Sequence, residues 1–184
     1  MRKAVLLFCF ILLGCFSTPE SKFYMLNSLP IEKISSTQMK IGVYDVSLPE
    51  YADKPQIVLQ NPESPEITIS EFNRWGTDLS VMVKNTFIED LQKALPDSKV
   101  YPLAYGTNFQ YIVKIDIEKF TGWLNKQALF KVKWQILNSR GKPIYTESSE
   151  YQTDVGKTYA LYVLAQSKLL ADLSADIANK LKTM

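Results

Sequence analysis

No histidine occurs anywhere in the chain. Its absence removes the commonest general base, the usual hydrolytic triads and most zinc ligand sets together. No G-x-S-x-G nucleophile elbow is present either. One run could hold a phosphate, Val155-Gly156-Lys157-Thr158. A phosphate-binding loop needs its first glycine where this chain has Tyr151, and a nucleotide-binding topology around it. The carboxylates are scattered at spacings typical of solvated faces, with no facing pair to act as acid and base. These residue types predict a non-enzymatic protein with no cofactor and no metal. One side chain with chemistry of its own remains, the thiol of Cys15.

Arg2 and Lys3 give a short positive start, and Ala4 to Leu13 is an unbroken apolar run ending in Gly14 and Cys15. A membrane-spanning helix needs about 20 apolar residues, so the run is too short to span. Positive start, short apolar core and small residue form the layout of a secretory signal peptide. Leu12-Leu13-Gly14-Cys15 is similar to the bacterial lipobox, in which cleavage precedes a cysteine that then carries lipid. Leu13, where smaller residues are commoner, is a departure. The competing reading is an apolar N-terminal strand, but the polar stretch Phe16 to Lys22 does not lead into a core strand. Each buried acyl methylene contributes about 0.8 kcal/mol, so several chains on Cys15 make a durable anchor. Phe16 is not the aspartate associated with inner-membrane retention, which points to the outer membrane, periplasmic face.

Losing Arg2 and Lys3 from 21 basic residues evens them with the 19 acidic ones. The remainder is neutral, without the clustered Lys and Arg that nucleic-acid binding requires, so nucleic acid is not an expected partner. Cys9 leaves with the leader and Cys15 carries lipid, which leaves no thiol for a disulfide. The protein must then be held by its core alone. The expected division is a signal peptide at 1–14, a lipidated tether at 15–21 and one domain at 22–184.

The elements follow from periodicity. Lys22 to Leu26 reads as a short aromatic strand. Met39 to Leu48 places Ile41, Val43 and Asp45 opposite Tyr44, Val46 and Leu48, an interior strand that Pro49 ends. Gln56 to Gln60 and Glu66 to Ile69 read as a hairpin across a proline-rich turn. Ser70 to Leu95 reads as the clearest helix: Phe72, Trp75, Leu79, Met82, Val83, Phe87, Leu91 and Leu95 recur at helical spacing before Pro96. Ser70 and Glu71 suit its N-terminus. Gln110 to Lys119, Ala128 to Leu137 and Ile144 to Tyr151 alternate as an antiparallel meander. A last helix covers about Thr158 to Lys182. Together they predict a two-layer α/β sandwich of α+β type: a mixed or largely antiparallel sheet of about six strands, with two long helices on one face.

Trp75 and Trp134 fall on apolar faces and belong to the core. Trp123, in Phe120-Thr121-Gly122-Trp123-Leu124-Asn125, falls in a loop where an exposed indole could anchor a partner or touch lipid, with core packing the alternative.

Several motifs then align in order: Cys15; Tyr24 with Leu26; Val46, Leu48, Pro49 and Tyr51; Asp53, Pro55, Gln56, Ile57 and Val58; Arg74 with Trp75; and the helix from Tyr162. In this order they resemble the ABC-type transport auxiliary lipoproteins, over almost the whole chain after the leader. Asn73 and Ala52 depart from the expected pattern. The resemblance implies a non-catalytic lipoprotein at the outer membrane in a lipid-trafficking system. Its implied partner is an MCE-domain periplasmic protein of an ABC lipid transporter, with homo-oligomer formation open. Pro49, Tyr51, Arg74, Trp75 and Trp123 are the candidate partner-binding residues. Arg74, poorly placed at a helix start, is expected to pair with Glu50 or Asp53 and pin the loop from Pro49 to Gln56. Two other readings stay open: a lipid carrier with a cavity lined by Phe87, Leu91 and Trp134, and a structural envelope-assembly lipoprotein.

Overall fold

Three long antiparallel strands make the frame of the molecule. In the computed structural model, which describes residues 19–35, 37–61, 64–105 and 108–184, β1 is Lys22–Tyr24, β2 Lys40–Val43, β3 Gln56–Gln60 and β4 Ile67–Trp75. Helix α1 (Leu79–Ala94), β5 (Lys99–Pro102), the frame strands β6 (Tyr111–Gly122), β7 (Gln127–Asn138) and β8 (Pro143–Asp154), and α2 (Tyr159–Lys182) follow. The leader 1–14, Cys15 and the tether as far as residue 18 lie outside the described residues.

The eight strands form a five-stranded sheet, ordered β5-β2-β6-β7-β8, and a three-stranded sheet, ordered β1-β4-β3. The larger sheet is antiparallel from β6 to β8 and parallel where β2 pairs with β5 and β6. On β7, Ala128, Phe130, Val132, Trp134 and Ile136 are buried on one face, as the alternation requires. Each large member contributes about 1.5–3 kcal/mol by leaving water. A bulge in β6 between Ile117 and Lys119 moves the inward positions from Val113, Ile115 and Ile117 to Phe120.

Both long helices pack on the buried face. Val83, Phe87 and Leu91 of α1 and Leu169, Leu173 and Ile177 of α2 are fully buried in the same core. Helix α2 is fixed to β8 by the Tyr151 hydroxyl, which donates to Asp176 at 2.7 Å, and by Lys180 Nζ, 4.0 Å from the Tyr145 ring centre. A strap between β1 and β2 crosses the helices: the Asn27 N–H donates to Ser167 Oγ of α2 at 3.1 Å and the Ile34 N–H to Ala94 O of α1 at 2.7 Å.

The helix expected from Ser70 begins nine residues later, at Leu79. Residues 67–75 are strand β4, because both edges of that segment find partners: Asn73, Arg74 and Trp75 pair in parallel with β1, and Ile67 to Ile69 pair with β3. Phe72 and Trp75 matched the helical stripe by coincidence. Gly76-Thr77-Asp78 makes the turn, and the Asp78 carboxylate makes no cap bond. Strand β2 stops at Val43, and only Ser47 rejoins the sheet, opposite Asp116. Strand β5 was not anticipated.

Candidate functional site

The strand ends on one side of the fold bring three of the motif residues, Pro49, Tyr51 and Trp75, together. After Pro49 the chain turns tightly, the Pro49 carbonyl accepting from the Ala52 N–H at 2.9 Å and the Asp53 N–H at 3.2 Å. Proline fixes φ at the start of this turn and so limits its alternatives. The turn aims Tyr51 inward, where its hydroxyl accepts a hydrogen bond from the Phe120 N–H at 3.1 Å. That N–H lies just past the β6 bulge, where the ladder is irregular. Burial pushes the Tyr51 phenol pKa up, and the bond to the Phe120 amide offsets part of that.

Trp75 reaches the same point from β4. Its ring meets Phe120 edge-on with centroids 6.1 Å apart, and the Trp75 backbone N–H donates to Pro55 O at 2.8 Å. Phe120 in turn meets Phe130 edge-on at 6.0 Å, and Phe130 stacks on Tyr151 at 6.2 Å. A line of aromatic rings therefore runs from β4 through β6 and β7 to β8. Outside it, a cleft of about 180 Å³ is lined by Asp53, Lys54, Pro55, Trp75, Thr77, Asp78 and Leu79. That is below the ~300 Å³ usual for small-molecule pockets. Its lining combines acidic and basic side chains with the largely buried Trp75.

Trp123 lies in the β6–β7 loop, as expected, but its side chain is half-buried against the core rather than projecting from it. The loop is a tight turn closed by the Trp123 N–H donating to Gln127 O at 2.9 Å, with Asn125 at φ 61°. Arg74 corrects an expectation. It stands on a strand, so the helix-dipole argument does not apply, and among the described residues it forms no ion pair with Glu50 or Asp53. Its Nε is buried without a hydrogen-bond partner. Its register neighbours are Phe23 and Gln56.

Sequence reasoning did not single out Phe120 or Gln166, which complete this end of the fold together with Tyr162. The Gln166 amide donates to Thr121 O at 2.8 Å, tying α2 to the end of β6. A buried glutamine on an apolar helix face is the signal that could have found it. Tyr162 is fully enclosed, and burial pushes its phenol pKa well up. The phosphate-loop look-alike is a helix start: Thr158 is the N-cap of α2, its side chain accepting from the Leu161 N–H at 3.3 Å.

Phe87, Leu91 and Trp134 are enclosed in the core, at most 1% exposed. No group of acidic or thiol side chains among the described residues could hold a metal, and no described helix is long and apolar enough to cross a membrane.

The model of the ABC-type transport auxiliary lipoprotein component matches residues 24–178. The chain belongs to that family. The match begins at Tyr24 and runs through the motif turn, the aromatic line and most of α2, so the matched span takes in nearly the whole fold. Among solved structures, an uncharacterised protein aligns with a TM-score of 0.75 and 21% identity, covering 89% of this chain and 99% of its own. Protein XCC0632 from Xanthomonas campestris aligns with a TM-score of 0.73 and 13% identity, covering 89% and 95%. At these identities the likeness shows the fold. No curated protein matches the chain.

Proposed function

We propose that this protein is an outer-membrane lipoprotein, held on the periplasmic face by acyl chains on Cys15, that docks an MCE-type ABC transporter of phospholipid. The leader 1–14 is removed, 15–21 is the tether and 22–184 is the docking domain. The family match over residues 24–178 carries the reading, and the Leu12-Leu13-Gly14-Cys15 motif supports the anchor. The chemistry is compatible with it: a transporter auxiliary needs no nucleophile, and the chain has no histidine. The partner-facing surface is the motif end, where Pro49, Tyr51 and Trp75 hold the turn over the cleft beside α1, with Trp123 at the end of β6.

A photo-crosslinker at Lys54, on the cleft rim, tests the reading in cells. Capture of an MCE-domain protein is the expected result. Capture of envelope-assembly proteins alone would favour the structural reading, and acyl lipid co-purifying in stoichiometric amount would favour the carrier.

A further inference from the structure

The three-stranded sheet leaves an apolar edge uncovered. Phe23 and Met25 are 66% and 50% exposed, and Ile67 and Ile69 are 44% and 47% exposed. Single exposed apolar residues are ordinary, but four along one sheet edge are not. Strand β1 is the outer strand and pairs with β4 only at residues 73–75. Beyond it, Ile67 to Ile69 have β3 on one side and no described strand on the other.

The direction of the strands says what this edge faces. Because β1 runs parallel to β4, with Lys22 opposite Asn73, β1 starts at its Ile69 and Ile67 side and runs away from it. Only six residues, 16–21, separate Cys15 from Lys22. At about 3.5 Å per residue those steps reach at most ~25 Å. A lipid on Cys15 therefore keeps the start of β1 within that distance of the bilayer.

We propose that the edge formed by Phe23, Met25, Ile67 and Ile69 rests in the interfacial layer of the bilayer that holds the anchor. This rests on the lipid-anchor reading above and adds a second, non-covalent contact to it. The aromatic and aliphatic side chains enter the headgroup–acyl boundary, and the charged Lys22, Glu20 and Glu71 remain at headgroup level. The contact fixes the orientation of the domain, so that the sheet edge lies down rather than swinging on the tether. The acyl chains on Cys15 supply the durable attachment, and the sheet edge adds orientation to it.

The test uses the full lipoprotein, processed in cells and reconstituted into vesicles of phosphatidylethanolamine and phosphatidylglycerol. With Cys9 removed and Cys15 acylated, Phe23→Cys, Ile69→Cys and, as a control in the β7–β8 turn, Arg140→Cys each supply one thiol for a nitroxide. Accessibility to a water-soluble nickel chelate should be several-fold lower at 23 and 69 than at 140, and accessibility to oxygen higher. Equal nickel accessibility at all three sites would overturn the proposal. So would protection at 69 accompanied by spin–spin broadening, which would place a second copy on this edge. Mass spectrometry of the N-terminal peptide separates the two ideas: an unmodified Cys15 sinks the anchor itself, whereas an acylated Cys15 with water-exposed labels sinks only the membrane contact.

Discussion

The Tyr51 hydroxyl accepts the Phe120 N–H at 3.1 Å, across 69 positions of sequence. This bond closes the motif turn onto the end of β6, at the point where the strand bulges and its own ladder falters. A buried amide left without an acceptor is costly, so the phenol completes the sheet as much as it anchors the turn.

Tyr51→Phe removes that acceptor and changes little else in volume. Because the side chain is half-buried, water recovers part of the bond, and the loss in stability should be about 1 kcal/mol by urea denaturation. Proteolysis within 49–55 should speed up alongside it. An unchanged cleavage rate would show that Pro49 and Pro55 hold the turn unaided.

Trp75→Ala should be far more damaging. The ring is buried against Phe120, and removing it leaves a cavity at one end of the aromatic line. Losses of about 3–5 kcal/mol are usual for such truncations. Trp75→Phe, which retains a ring, should lose clearly less in the same denaturation experiment.

Asp90 gives the protein a pH signature. It sits on α1 beneath the strap, accepting from the Ser28 hydroxyl, and burial is the main cause that raises its pKa to about 6. The folded state thus holds this proton more tightly than the unfolded chain, whose carboxyl keeps its ordinary value of 3.8. Where the native state binds more protons, stability falls as pH rises. Asp90 should therefore make the protein more stable as pH is lowered from 7 through 6 toward 4. Denaturation midpoints for Asp90→Asn should lack most of this gain. Asp172, pushed the same way by burial, would leave a smaller residual slope.

Thr158→Ala should cost about 1 kcal/mol by removing the cap on the Leu161 N–H. Nucleoside triphosphate should not shift the melting temperature of either protein. A shift that disappears in the variant would restore the phosphate-loop reading of Val155 to Thr158.

Gly122→Ala tests the junction of β6 with α2. A Cβ there would stand 2.7 Å from Gln127 O and 2.8 Å from Ala128 Cα, both backbone, and 3.0 Å from Tyr162 Cε2. Neither backbone atom can move aside cheaply, so a loss of about 1–3 kcal/mol is expected, with the melting temperature as readout.

How much of this was legible depended on whether a segment's neighbours are local. In β6, β7 and β8 each strand pairs with the next in sequence, one face wet and one buried, and the period of two is plain. Helix α2 carries its stripe through Leu169, Leu173, Ile177 and Leu181. Strand β4 defeated the same method because its partners, β1 and β3, lie elsewhere in the chain, and because Phe72, Trp75 and Leu79 fit a helical spacing. Gly76-Thr77-Asp78 was the local warning. Lys99–Pro102 is strand only because Lys40–Val43 runs beside it. At the motif end, Pro49, Tyr51 and Trp75 were named from sequence, but the residue that Tyr51 and Trp75 both meet, Phe120, reads in the sequence as part of the loop that carries Trp123, whereas it belongs to β6. The Arg74 pairing failed for the same reason as the helix, since both placed residue 74 near the start of a helix when it stands on β4.

The position of β2 between β5 and β6 also dictates an order of events. Its pairings wait for chain some 60 to 70 residues further on, as the register of Ile41 with Val100 and with Tyr111 shows. Strands β6 to β8 need only tight turns. Closing long loops before any contact rewards them is slow, so the C-terminal half should gather first and the N-terminal strands should arrive last. Pulsed hydrogen exchange during refolding should find Val132 and Trp134 amides protected before those of Ile41 and Val43. The span that the N-terminal segment joins late is then the whole interval during which the nascent protein needs shielding.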